Sequence, residues 1–277
     1  MNLHEYMRDR FLILDGGMGT LLQEEGLAPG ERPEGWNLTH PDAIRAIHAA
    51  YFAAGADVVY ANTFGANPLH YSEEELDALI AAALRLGREA AAAAGKETAF
   101  VALDVGPTGR LLKPLGDLDF EDAVSAFAAV VRAGVRHGAD LIVIETMSDA
   151  YETKAALLAA KENSDLPVFV TNAFGADGKL MTGADPAALT ALLEGMGADA
   201  IGVNCSHGPQ ALLPILDEYL RVSSRPIIFK PNAGLPRVEG GKTVYDVGPA
   251  AFAALMRTAA ERGARVLGGC CGTTPAH

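Results

Sequence analysis

The chain has 277 residues, 49% of them apolar, with 35 acidic against 22 basic side chains and a formal net charge of −13. So acidic a surface repels nucleic acid and anionic lipid, and no run approaches the roughly 18 uninterrupted apolar residues of a membrane span. Residues 1–10 carry Glu5, Arg8, Asp9 and Arg10, which excludes the apolar core of a secretory signal, and the three cysteines, an odd number, fit free thiols or metal ligands in a reducing cytoplasm.

Residues 1–10 read as a short helix across the bottom of the fold. Eight runs rich in Val, Ile, Leu and Phe come next, at 11–15, 57–61, 98–104, 140–145, 167–172, 200–204, 226–230 and 265–268. Ala-rich segments of helical length separate most of them. Thr39-His40-Pro41-Asp42, Ser72 followed by Glu75, Asp149, Asp185 and Gly208-Pro209 supply helix starts. Gly55, Gly138, Gly197 and Gly263 each precede Ala and a charged residue, as a left-handed helix end does before the next strand. Alternating strands and helices predict parallel pairing through right-handed crossovers. Eight units favour a closed α/β fold, the (β/α)8 TIM barrel, over an open doubly wound sheet. Residues 1–277 then form one domain. The chain runs only six residues past Cys271, so the helix due after the eighth strand is expected to be missing or truncated.

In such a barrel the strand C-termini carry the chemistry. The first ends in Asp15-Gly16-Gly17-Met18-Gly19-Thr20, the fourth in Glu145, the sixth in Asn204-Cys205, the seventh in Lys230-Pro231-Asn232 and the eighth in Gly269-Cys270-Cys271-Gly272. Every thiol of the chain therefore lies at a strand end. Three thiolates from two strand ends can hold zinc and leave a fourth tetrahedral position open, the pattern of a catalytic site. Successive strand residues face opposite ways, so Cys270 and Cys271 can share a metal only if the backbone turns there, which Gly268, Gly269 and Gly272 allow. Buried structural thiols, or a redox or other metal role, are the competing readings.

Asp15 and Glu145 end apolar strands and must be solvated or paired there. They suit a substrate ammonium, or a salt bridge to Lys230. The 16–20 loop lacks the spacing of a nucleotide loop. It reads either as an amide cradle for a small carboxylate or as a tight turn. His207, two residues after Cys205, reads as a neighbour of the site rather than a ligand.

The segments Leu14-Asp15-Gly16-Gly17-Met18-Gly19-Thr20, Asn62-Thr63-Phe64-Gly65-Ala66-Asn67, Glu145-Thr146, Val203-Asn204-Cys205 and Gly268-Gly269-Cys270-Cys271-Gly272-Thr273-Thr274-Pro275 together resemble the homocysteine S-methyltransferase family. Within it they look most like the homocysteine-binding module of the cobalamin-dependent methionine synthase branch. The resemblance implies a barrel whose Zn2+ is held by Cys205, Cys270 and Cys271, with Asn232 in the fourth position until substrate displaces it. It implies that Asp15 and Glu145 hold the ammonium of homocysteine and that the loop with Gly16, Gly17 and Thr20 faces its carboxylate. Homocysteine would then be methylated as a zinc-bound thiolate to give methionine. Methylcobalamin on a separate corrinoid domain or protein is the first expectation for the donor, and a sulfonium or betaine-like molecule the second. A non-catalytic subunit that binds zinc and homocysteine is the alternative.

Overall fold

A computed structural model describes residues 3–96, 98–240 and 242–277. Met1 and Asn2 of the expected first helix lie outside them. The elements run α1 (Leu3–Asp9), β1 (Leu12–Ile13), α2 (Met18–Glu24), α3 (Trp36–Thr39), α4 (Pro41–Ala54), β2 (Val58–Tyr60), α5 (Glu73–Ala94), β3 (Phe100–Val105), α6 (Phe120–Arg136), β4 (Leu141–Met147), α7 (Ala150–Asn163), β5 (Val168–Asn172), α8 (Pro186–Gly195), β6 (Ala200–Cys205), α9 (Pro209–Val222), β7 (Ile227–Pro231), β8 (Arg237–Glu239), β9 (Lys242–Val244), α10 (Pro249–Arg262) and β10 (Val266–Leu267). Eight parallel strands lie in the order β1-β10-β7-β6-β5-β4-β3-β2. A bridge between Leu14 and Val58 joins the two ends, with Asp57 N donating to Ile13 O at 2.7 Å and Asp15 N to Val58 O at 3.0 Å. The sheet is thus a (β/α)8 TIM barrel, with β8 and β9 forming a separate hairpin in the loop after β7.

Local sequence explains most of the boundaries. Ser72 and Glu75 form a reciprocal capping box at α5, and the Asp149 and Asp185 carboxylates accept amides at the starts of α7 and α8. Gly55, Gly138, Gly197 and Gly263 all take positive φ at the helix ends, as their turns require. The expectation of a Thr39 cap is not met: Thr39 ends α3, and His40 precedes Pro41 without a side-chain cap bond. Pro41 at the first helical position has no N–H of its own to satisfy, which leaves one fewer free donor at this end.

Helix α1 closes the bottom of the barrel. Its Leu3 and Tyr6 join the inner core of Leu12, Val58, Leu141 and Phe169, and the Tyr6 hydroxyl donates to Asp57 at 2.9 Å. Among the described residues no helix follows β10. A groove of about 290 Å³ lined by Ile13, Ala54, Phe252 and Met256 runs along the outer face of β1 and β10 between α4 and α10.

Strand alternation places the site. Inward residues of the lower barrel include Val58 on β2, Ala102 on β3, Leu141 and Val143 on β4, Phe169 on β5, Ala200 on β6 and Ile228 on β7. A period of two carries each of these rows upward, to Tyr60, Asp104, Glu145, Thr171, Asn204 and Lys230. All six are buried. A polar layer thus sits directly on the apolar plug, at the C-terminal mouth.

Candidate functional site

The three cysteines converge above this layer. Their sulfurs lie within 4.8 Å of one another, and Cys205 Sγ is 3.9 Å from Cys271 Sγ. Sulfurs about 2.3 Å from a tetrahedral zinc stand roughly 3.8 Å apart, so the cluster has the spacing of a three-sulfur metal centre. None of the three is in a disulfide. Cys205 ends β6 with φ 56°, and Ser206 follows with φ 52°, so the chain turns sharply as it delivers the first sulfur.

The other two sulfurs come from a turn after β10. Gly269 N donates to Asp15 O at 3.0 Å and Cys270 N to Pro231 O at 2.8 Å, so pairing to both neighbours persists up to Cys270. There the chain bends, with Thr273 N donating to Cys270 O at 3.1 Å and Gly272 at φ 77°. Of the three glycines expected to permit the bend, only Gly272 takes a left-handed conformation. Gly268 and Gly269 serve close approach instead, because a Cβ at Gly268 would stand 2.7 Å from Leu14 Cβ and one at Gly269 would strike Thr273.

Without a metal the packed thiols hold their protons. Hydrogen bonding with Cys270 lowers the Cys205 thiol, but the bond with Cys271, burial and the neighbouring charge carry it up to about 11. Cys271 behaves alike: the bond with Cys205 lowers it, and the bond with Cys270 and burial push it up to about 12. A divalent cation would remove this obstacle by replacing the protons.

Beside the sulfurs lies a cavity of about 630 Å³, lined by Asp15, Tyr60, Asp104, Glu145, Lys230 and the three cysteines. Asp15 Oδ2 accepts the Tyr60 amide at 2.7 Å, while its Oδ1, the Asp104 Oδ1 and the Tyr60 hydroxyl have no hydrogen-bond partner. Lys230 is 2% exposed, and its Nζ stands 3.9 Å from both Asp15 and Glu145 and 4.6 Å from the Tyr60 ring centre. From sequence, a substrate ammonium and a Lys230 salt bridge are alternatives for these carboxylates. The structure places the lysine between them at a separation too long for hydrogen bonds.

Lys230 is the buried cation beside three buried carboxyl groups, Asp15, Glu145 and Asp104, and the exposed Arg32 also lines the cavity. Burial pushes the Asp15 carboxyl up to about 7, against Lys230 and the Tyr60 amide. Burial and then the neighbouring Glu145 hold Asp104 well above the usual carboxylate range, and burial raises Glu145 against the pull of Lys230. Burial disfavours the Lys230 charge, but Glu145, Cys270 and Asp15 outweigh it and keep the ammonium protonated. A second ammonium entering the cavity would meet unpaired carboxylate oxygens.

Gly16, Gly17 and Thr20 line the same cavity, and Asn232 stands against the cysteine turn. Gly17 N donates to Thr273 Oγ1 at 3.1 Å, and a Cβ at Gly16 would stand 2.5 Å from that oxygen. Both glycines thus let the first loop pack on the cysteine turn, and the Gly17 amide is already engaged. Thr20 Oγ1 accepts the Gly272 amide at 3.4 Å. Asn232 Oδ1 accepts the Cys271 amide at 3.0 Å, which ties it to the turn. His207 pairs through its backbone, accepting the Asn232 amide at 3.1 Å.

From the sequence Asp104 and Asn204 stand at strand ends without an assigned role, and Tyr60 and Tyr245 carry no expectation. Inward parity along each predicted strand was the signal for the first three. Tyr245, whose hydroxyl is raised by burial and then by the adjacent Cys271 and Cys205, comes from the loop after β9 and carries no such signal. Its ring lies against Gly272, where a side chain would clash.

Residues 12–277 match the homocysteine S-methyltransferase family. Methionine synthase from Mycobacterium leprae is 32% identical over 294 residues, an alignment that takes in 100% of this chain and 24% of that protein. The chain therefore spans about a quarter of the length of that relative. Among solved structures, the oxidized form of the homocysteine methyltransferase MmuM from Escherichia coli superposes with a TM-score of 0.83 at 25% identity, covering 99% of this chain and 95% of that one. Its metallated form gives 0.81 at 25% identity, over 99% and 96%.

Proposed function

Since the chain belongs to the homocysteine S-methyltransferase family, we propose that it is a zinc-dependent enzyme moving a methyl group onto the sulfur of homocysteine to give methionine. The observation that carries this reading is the juxtaposition of a three-sulfur cluster with a carboxylate-lined cavity. A substrate with a thiol at one end and an ammonium at the other suits both. Residues 1–277 act as one homocysteine-binding barrel.

Cys205, Cys270 and Cys271 would hold the ion, whose spacing they fit. A bound zinc supplies deprotonation of the substrate thiol, which as a free alkyl thiol with pKa near 8.5 is only a few per cent ionised at neutral pH. Asp15, Glu145 and Asp104 receive the ammonium, which supplies the positive charge their buried oxygens lack. The edge of the loop from Gly16 to Thr20, which lines the same cavity, faces the carboxylate. Asn232 first acts by holding the Cys271 turn. Its Oδ1 keeps a second lone pair, so service as the fourth ligand is compatible with that bond.

For the methyl donor we favour methylcobalamin carried by a corrinoid domain or protein, a reading supported by the likeness to mycobacterial methionine synthases. The match to nearly the whole of MmuM supports a second reading, a small sulfonium or betaine-like donor on a free-standing barrel. No helix among the described residues is long and apolar enough to cross a membrane, and free thiols suit the cytoplasm. The test is a donor screen. Zinc-loaded protein with homocysteine should form methionine from methylcobalamin, S-methylmethionine or betaine. Tight homocysteine binding without turnover from any of them would instead identify a binding subunit.

A further inference from the structure

Asn204 is fully buried at the penultimate position of β6, one residue before the first cysteine. Its amide orientation is fixed by Thr146, whose backbone N–H donates to Asn204 Oδ1 at 2.9 Å. The Nδ2 group must therefore be the donor end. It faces Thr146 Oγ1 at 2.7 Å, Glu145 Oε2 at 3.1 Å and Cys270 Sγ at 3.9 Å. A carboxamide offers two N–H bonds, so three acceptors compete for them.

The surrounding backbone needs such a clamp. Thr146, Cys205 and Ser206 are non-glycine residues with φ of 60°, 56° and 52°. Residues in that region persist where neighbours over-determine them, and they cluster at functional sites. Asn204 bonds the first of them twice and adjoins the second in sequence.

We infer that Asn204 is a positioning residue serving both halves of the site, its N–H groups holding Glu145 toward the substrate ammonium while donating to the Cys270 sulfur. This rests on the reading that Glu145 meets homocysteine and Cys270 the metal. A donor to a metal-bound sulfur disperses its charge, and outer partners of this kind commonly govern both affinity and electronic character of the centre. Because one set of protons is shared, a sulfur that becomes ionised draws N–H density away from Glu145. The two halves are thereby linked through a single side chain.

The test uses Asn204→Asp and Asn204→Ala, which differ in charge and volume but share the loss of the N–H donor. In both, zinc affinity measured by chelator competition should fall about 10- to 100-fold. The sulfur-to-metal charge-transfer band of the Co2+-loaded protein should shift, and the KM for homocysteine should rise more than kcat falls. A folded variant with wild-type zinc affinity and an unchanged cobalt spectrum overturns the inference. Should both variants fail to fold, Glu145→Gln decides: it alters no sulfur, yet by changing the competition for Asn204 it must move the cobalt band, and a band that stays put overturns the link. Metal affinity and the cobalt spectrum are read without homocysteine. A wild-type chain that holds the metal but never binds homocysteine therefore overturns the functional reading, not the link between Asn204 and Cys270.

Discussion

Asn232 Oδ1 accepts a hydrogen bond from the backbone N–H of Cys271 at 3.0 Å, so the side chain expected to complete a metal centre also braces the turn that carries one of its sulfurs. The two roles give different results on truncation. For Asn232→Ala we expect zinc affinity to fall about 10- to 100-fold both with and without homocysteine, because the Cys271 turn is loosened in either state. A ligand that homocysteine displaces would matter only in the substrate-free protein. Chelator competition in the two conditions checks this.

The carboxyl of Asp15, carried by burial up to about 7, gives a pH dependence with a definite sign. Its ionised form attracts the substrate ammonium, so methionine or homocysteine binding should weaken as pH falls below about 7, and Asp15→Asn should abolish that limb. Stability of the ligand-free chain runs the other way. The unfolded chain releases this proton near pH 4 and the folded one near 7, so a stabilising contribution present below pH 4 is lost as pH rises to 7. At pH 8, Asp15→Asn should therefore melt a few degrees higher while binding homocysteine more weakly. Melting curves of both chains at pH 5 and pH 8 check the sign, and an Asp15→Asn variant that melts below the wild type at pH 8 would refute it.

Removal of one sulfur should empty the centre. Metal analysis after dialysis against a mild chelator is expected to find one zinc in the wild-type chain and essentially none in Cys205→Ala, since two sulfurs leave too few ligands for a tetrahedral site. Retention of stoichiometric zinc would mean that the cluster is not the site.

Gly16→Ala tests the packing of the first loop on the cysteine turn. The added Cβ would lie 2.5 Å from Thr273 Oγ1 and 2.8 Å from the Tyr51 hydroxyl, both of them buried. We expect a loss of about 1–3 kcal/mol in stability from overpacking, with weaker zinc binding although no ligand is altered. Denaturant unfolding and a zinc titration measure the two effects.

Much of this molecule was legible because its signals are local. Hydrophobic runs at regular spacing, the Ser72 and Glu75 box, and Gly55 or Gly263 at helix ends depend on neighbours in sequence, and each appears where expected. Convergence of Cys205 with Cys270 and Cys271 is expected from their places at strand ends together with the glycines that let the chain turn at Cys270. The losses have one cause, the need for a side chain's partner to be known. Asn232 and Gly17 carry groups that could face a ligand, but Cys271 and Thr273 bond to them. Asp104 and Asn204 needed the inward parity of their strands, and that parity is fixed only once the lower core residues such as Ala102 and Ala200 are known to face inward.

Strand β10 itself meets β1 through two residue pairs, Leu12 with Val266 and Ile13 with Leu267, and β7 through two more, and backbone bonds from Gly268, Gly269 and Cys270 extend both contacts. The cysteine pair hangs from this short strand, whereas the remaining sulfur ends β6, on the far side of β7. An ion gripped by all three would act as a rivet across β7, tying β10 to β6. Filling or emptying it would tighten or slacken the edge from which Asp15 reaches inward, so the cofactor doubles as a fastener for the architecture that presents it.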